Sequence, residues 1–261
     1  MSFVNETIQR LIADGTMQPT DSVLTICAGR REHENFHRNG FTKVTISNLD
    51  ERVAPEEFAP YDWSRQDAGS LTYDDNSFDF CFVNAGLHHC DSPHRALLEM
   101  YRVARKGVIV LESRDSVTMR CAAMFNFVCT YELEAVILND FKCGGVNNTN
   151  VPNYVYRWTE REFEKTINTH NPTGKHRFQY FYGLLLPHLF IGMSKNPLKK
   201  LAYYCLLPFV FLLTKLFKKQ MNQFAMIAVK PRIPADIWPW LVKSGDTWQL
   251  DRDFAQTKYR V

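Results

Sequence analysis

Apolar residues along this chain follow two rhythms. Short apolar-rich runs at 22–26, 43–47, 79–83 and 108–111 read as strands. The run at 79–83 follows a polar turn, Asp74-Asp75-Asn76-Ser77, and is unbroken enough for a central strand buried on both faces of a parallel sheet. Between the last two runs, Ala96, Leu97, Met100, Val103 and Ala104 recur at helical spacing with Glu99, Arg102 and Arg105 opposite, so 93–104 predicts an amphipathic helix. Asp91 or Ser92 can cap it ahead of Pro93, and Lys106-Gly107 reads as its stop. Strand, loop, helix and strand make a βαβ unit. Residues 3–14 predict an entry helix ending at Gly15, and a further helix is expected after the loop at 27–32, running to Arg38, with a turn at Asn39-Gly40.

Beyond Glu112 the pattern changes. Residues 117–138 predict a long apolar helix, and 143–154 form an amide-rich loop, Cys-Gly-Gly-Val-Asn-Asn-Thr-Asn-Val-Pro-Asn-Tyr. Thr159-Glu160-Arg161-Glu162 is a capping box, which starts a helix at Thr159 running to about Asn168. Residues 177–183 and 223–229 read as strands. Between them Asn196-Pro197 can open a helix, and 201–217 is nearly all apolar, flanked by Lys199-Lys200 and Lys218-Lys219. With Pro208 inside, this stretch is short for a membrane crossing; it reads as core or dimer packing, a membrane-interface element, or a cover over a greasy substrate. The resulting organisation is one domain over 1–230, with an apolar helical insertion at 184–222, followed by an aromatic tail at 231–261 packed on it.

Composition narrows the classes. A length of 261 residues with 45% hydrophobic content fills a sizeable core, and a net charge of +3 gives no reason to expect nucleic acid as a partner. Seven cysteines without a C-x-x-C pair argue against a zinc site or disulfide framework, so reduced thiols, no metal and a cytoplasmic, potentially membrane-associated location are expected. No secretory signal is expected at the N-terminus.

Asp67-Ala68, Ser77-Phe78-Asp79, Leu87-His88-His89, Pro93, the run Leu98-Glu99-Met100-Tyr101-Arg102-Val103 and Lys106-Gly107 together resemble the core of class I S-adenosylmethionine-dependent methyltransferases, closest to the group of quinone-biosynthesis methyltransferases. The resemblance covers roughly residues 20–115. It implies a Rossmann-like seven-stranded, mostly parallel sheet with helices on both faces and antiparallel sixth and seventh strands. It implies S-adenosyl-L-methionine as cofactor, held by Cys27, Ala28, Gly29, Asn48, Leu49, Asp50, Asp67, Ala68, Asn84 and Ala85. Asp67-Ala68 would meet the adenine, and Asn48 stands where an acid usually takes the ribose hydroxyls, with Asp50 two residues on. The chain departs from the family pattern at the first loop: Cys27 and Arg31 occupy glycine positions and Thr25 an acid position. A cysteine can replace glycine where φ is negative, so the loop is expected to bind with altered geometry.

His88 or His89 can act as general base toward an oxygen nucleophile, or serve only as loop residues. The amide-rich loop and the aromatics after it point to Asn147, Asn148, Tyr154 and Arg157 as grips for a hydroxylated acceptor, a small molecule or saccharide, with a lipid-linked acceptor suggested by the insertion. The competing class is a catalytically inactive descendant of the fold that acts as a binding or membrane-peripheral protein. A nicotinamide oxidoreductase is disfavoured because the glycine fingerprint after the first strand is missing.

Overall fold

Six of the expected strands and one unexpected strand form a single seven-stranded sheet in the computed structural model, which describes residues 2–50 and 52–259. In chain order the elements of the first half are α1 (Phe3–Ala13), β1 (Ser22–Ile26), α2 (Arg30–Arg38), β2 (Lys43–Asn48), β3 (Asp62–Arg65), β4 (Phe78–Asn84), α3 (Pro93–Val103) and β5 (Ala104–Ser113). The second half adds α4 (Val117–Met124), α5 (Leu133–Ile137), α6 (Glu160–His170), β6 (Arg177–Gly183), α7 (His188–Met193), α8 (Pro197–Leu216), β7 (Gln223–Val229), β8 (Leu241–Ser244), β9 (Thr247–Leu250) and α9 (Arg252–Lys258). The order across the sheet is β3-β2-β1-β4-β5-β7-β6. β7 runs antiparallel to both β5 and β6, so it alone is reversed; β6 points the same way as the first five strands. The order reverses between β1 and β4, and in open α/β sheets the crevice beyond the strands' carboxyl ends at such a switch point takes the ligand.

Two apolar layers hold the sheet. On one face Leu24, Cys81, Val83, Val108 and Val110 pack under α3 and α6 with Leu97, Met100, Trp158 and Phe163; on the other Val23, Phe80, Phe82, Ile109 and Ile227 pack under α1 and α2 with Ile8, Leu11 and Phe36. Asp79, expected to be structural, accepts from the Ser22 backbone and pairs with Arg105 and Lys106, tying β1, β4 and β5 together.

Several expectations need correction. Lys106-Gly107 does not stop the helix: α3 ends at Val103 and both residues lie inside β5. Gly107 is required because a Cβ there would meet the Ala228 carbonyl oxygen of β7 at 2.5 Å. The helix expected over 117–138 is broken into α4 and α5, because 130–132 runs alongside 153–155 instead: the Val155 amide donates to the Thr130 carbonyl at 2.9 Å and the Glu132 amide to that of Asn153 at 3.0 Å. Backbone pairing overrides the helical spacing of the side chains. β3 escaped the sequence reading because it is a short, polar edge strand. The tail, which shows little periodicity, contains the β8–β9 hairpin closed by Gly245-Asp246, a two-residue connection of the kind that glycine permits. It meets the rest of the protein where the Lys175 amide donates to the Asp236 carbonyl at 2.7 Å, and Trp238 stacks on Trp240 with ring centroids 4.6 Å apart.

Candidate active site

β1, β2 and β4 end side by side, and each hands its chain to a loop at the same edge of the sheet. A pocket of about 230 Å³ opens there. Among the residues expected at a cofactor, Cys27, Asn48, Leu49, Asp50, Asp67, Ala68 and Ala85 line it. Ala28 and Gly29 do not. Ala28 is buried with its amide on the Ser47 carbonyl, and Gly29 precedes α2, its amide donating to Glu32 Oε2 at 3.0 Å. Asn84 is turned away as well, donating to Glu32 Oε1 at 3.0 Å, so one buried carboxylate locks the start of α2 to the end of β4.

Backbone shape around this pocket differs from the expectation in one respect. Cys27 has φ of 50° and Ala85 also 50°, both left-handed, so cysteine stands where φ is positive, the conformation that favours glycine. The compensation is Gly86: a Cβ on it would lie 2.5 Å from Cys27 Cβ. The side chain that the first loop gained is accommodated by the side chain that the facing loop lacks.

Polar groups in the pocket have definite partners. Asn48 donates to the Ala28 carbonyl at 3.0 Å and accepts from the Asp50 amide at 3.1 Å, so its amide shapes the turn between the two loops. Asp50 is gripped by Arg52, which also reaches Asn139 Oδ1 at 3.1 Å; the guanidinium holds the Asp50 carboxyl below its ordinary range. Asp67 uses Oδ1 to accept from the Gly69 amide at 2.8 Å.

The two histidines part company. His88 is 7% exposed and faces away from this pocket into a second chamber of about 290 Å³, whereas His89 lines the first. His88 Nδ1 lies 2.7 Å from Glu112 Oε2, and its Nε2 lies 3.3 Å from Glu132. Burial works against charge on His88, but the two carboxylates together outweigh it and hold its pKa up at about 10. Glu132, likewise opposed by burial, is drawn down to about 2 by the hydrogen bond and charge of His88. For His89, burial and the neighbouring His88 charge lower the pKa, so its imidazole is neutral at pH 7. The ligand atoms of His88, His89 and Glu132 lie within 4.8 Å of one another, a set that a divalent ion can use. As they stand, a cationic His88 lies between two carboxylates and the cluster is net negative.

This cluster gives stability a pH window. The His88 contribution is fully present below its ordinary value of 6.5 and is lost as pH rises through about 10. The Glu132 contribution is present above 4.5 and is lost as pH falls through about 2. Urea unfolding should therefore show stability falling with pH above neutrality by up to ~1.4 kcal/mol per pH unit from His88 alone. A His88→Asn variant should lack that alkaline slope; an unchanged slope would remove His88 as its source.

The four residues expected to grip an acceptor do not converge. Asn147 and Asn148 line the first pocket, both left-handed, the former accepting from the Asp91 amide at 3.2 Å and the latter from that of Gly144 at 3.3 Å. Arg157 lines the second chamber and donates to the Cys129 carbonyl at 2.6 Å. Tyr154 lies in neither and packs against Tyr131. The amide-rich loop thus covers the first pocket rather than forming a separate acceptor grip. Sequence reasoning missed Arg52, Gln66, Gly86, Cys90 and Asn139 in the first pocket, and Glu112 and Glu132 in the second. One signal was available: Glu112 ends an apolar strand run, and an acid buried there needs partners.

Comparison with known proteins agrees with this geometry. Residues 27–111 match the family model of a methyltransferase domain. Over 67 residues the chain is 39% identical to the ubiquinone/menaquinone biosynthesis C-methyltransferase UbiE of Bdellovibrio bacteriovorus, a stretch covering 25% of this chain and only 28% of that protein's length. Among solved structures, a Bacillus halodurans protein assigned as a methyltransferase superposes with a TM-score of 0.55 at 16% identity, over 87% of this chain and 100% of that one. The YcgJ protein of Bacillus subtilis gives 0.54 at 12% identity, over 87% and 99%. The [4+2]-cyclase SpnF gives 0.51 at 15% identity, over 86% and 81%, so the same fold also carries other chemistry. Residues 27–111, which resemble a methyltransferase domain, supply the loops that follow β1 to β4, and the chain has the Rossmann-like fold of these solved structures.

Proposed function

We infer that this protein transfers a methyl group from S-adenosylmethionine to an oxygen of a hydroxyl-bearing small molecule, saccharides included. The observation that carries the reading is the convergence of Cys27, Asn48 to Asp50, Asp67-Ala68 and Ala85-Gly86 on one pocket at the switch point of the sheet. These residues suit the cofactor. Asp67 and Asp50 offer carboxylates to amine and hydroxyl donors, and Gly86 leaves the loop without a side chain. Glu112, His88 and Glu132 together carry a net negative charge beside the pocket, which favours a sulfonium.

When bound, the cofactor would supply a methyl group already activated by its positive sulfur, with a neutral thioether as the leaving group. The chain's own task is alignment, exclusion of water and handling of one proton. His88 is held protonated and does not serve as base. His89, neutral and lining the pocket, takes the hydroxyl proton, while Glu132 at 3.4 Å from its Nε2 orients the ring and favours the imidazolium that forms.

The C-methyltransferase relative favours a second reading, an activated carbon as acceptor at the same site. Left-handed Cys27 favours a third, an inactive descendant that no longer binds cofactor. An assay with isotopically labelled methyl separates them: the spectrum of the product distinguishes O-methyl from C-methyl, and absence of any transfer supports the inactive form. In His89→Gln, turnover should fall about 100-fold with cofactor affinity retained. Unchanged turnover would remove His89 as the base.

A further inference from the structure

The helix α8 has two apolar faces, and only one rests on the protein. Tyr203, Leu207, Val210 and Thr214 turn inward and line a cleft of about 270 Å³ shared with α4. Leu198, Leu201, Cys205, Leu212 and Leu216, at the complementary helical spacing, face outward, with Leu198 73% and Leu216 66% exposed, while the exposed Phe209 lies at the mouth of the cleft. Residues 195–219 contain six lysines, three near each end of the helix, and no acid. At 20 residues and a mean hydropathy of 1.3 the helix is long and apolar enough to cross a membrane. Its inward face is committed to the protein, however, with the Tyr203 hydroxyl 3.1 Å from His188 Nδ1. An apolar outer face with cationic ends, resting on a folded domain, is the pattern of an interfacial helix.

The cleft behind α8 leads inward. Met119, Val128, Leu185, Pro187 and Asn222 line both it and the chamber that holds His88 and Glu132, and that chamber shares Ala85 with the first pocket. The apolar cleft beneath the exposed helix therefore adjoins, through shared walls, a chamber beside the first pocket. We propose that α8 lies in the interface of an anionic membrane and that the cleft admits the hydrocarbon tail of an amphiphilic acceptor drawn from it, placing the polar head in the chamber at Ala85. The acceptor part rests on the methyl-transfer reading; the membrane part does not. A second copy of the chain is the poorer occupant, because pairing this face with itself would oppose the two sets of lysines, whereas anionic headgroups complement them.

The test uses the full chain with vesicles of phosphatidylcholine, with and without phosphatidylglycerol, and a dansyl-labelled fatty acid as tail probe. Binding is expected to vesicles with phosphatidylglycerol, weakening as salt rises. A variant with Leu201→Asp, Leu212→Asp and Leu216→Asp should lose roughly 100-fold or more in vesicle binding while keeping its affinity for S-adenosylmethionine, which also shows that it is folded. Ala122→Trp, which fills the cleft, should abolish probe binding and leave vesicle binding intact. Wild-type protein that binds cofactor but neither vesicle overturns the membrane proposal, as does a dimer in sedimentation that the triple variant dissolves. Equal probe binding by Ala122→Trp overturns the tail site. Vesicle binding without cofactor binding supports the membrane proposal and overturns the methyl-transfer reading instead.

Discussion

Changing Gly86 to alanine is expected to destabilise the protein by about 2–3 kcal/mol and to weaken cofactor binding with it. The new Cβ would sit 2.5 Å from Cys27 Cβ and 2.9 Å from Val83 Cγ2, inside a buried loop that cannot retreat without moving the end of β4. The expected cost depends on Cys27. In a Cys27→Gly background the nearer obstacle is gone and the left-handed position is eased, so the same change should cost at least ~1 kcal/mol less. Urea unfolding of the two single variants and the double variant closes this cycle. Strict additivity would show that the two loops do not accommodate one another and that the cysteine is merely tolerated.

Replacing Glu112 by alanine should be worse still, about 3–5 kcal/mol. Its side chain is wholly buried and makes two bonds of 2.7 Å, one from the Leu87 amide and one with His88. Without it the amide is left unpaired in the interior, and a buried imidazolium keeps only Glu132. Glu112→Gln separates the two effects, since its amide oxygen can still accept from Leu87 while the charge is gone. In that variant the His88 pKa, read from the proton resonances of its ring, should fall from about 10 towards the ordinary 6.5. A Glu112→Ala protein within about 1 kcal/mol of wild type would mean that the cluster holds nothing together.

The sheet was largely legible in the chain because buried strands and capped helices write local signals. β6 and β7 fall on the expected residues, as does the Thr159 cap, whose hydroxyl accepts from the Glu162 amide. The failures share one physical cause, since contacts distant in sequence decided them. Gly107 resembles a helix stop but answers to β7, and 117–138 resembles a helix but is interrupted where it pairs with 153–155. At the site, Asp67, Asn48 and Asp50 were visible through the family resemblance, since loop position alone marks them as turn formers, whereas the inequality of His88 and His89 was not visible. Two adjacent histidines in sequence say nothing of which one meets Glu112, a residue 24 positions away in the chain. The apolar insertion was visible as a pattern, but only the fold places its inner face over a cleft that shares walls with the His88 chamber.

The central claim is that the loops after β1, β2, β3 and β4 bind S-adenosylmethionine despite a cysteine in a glycine's place. Calorimetric titration of the purified protein with S-adenosylhomocysteine, the demethylated product, tests it most directly. One site of micromolar affinity is expected, about −8 kcal/mol, weakened roughly tenfold or more in Asp67→Ala as a charged hydrogen bond is lost. A folded wild-type protein that gives no binding would contradict the claim.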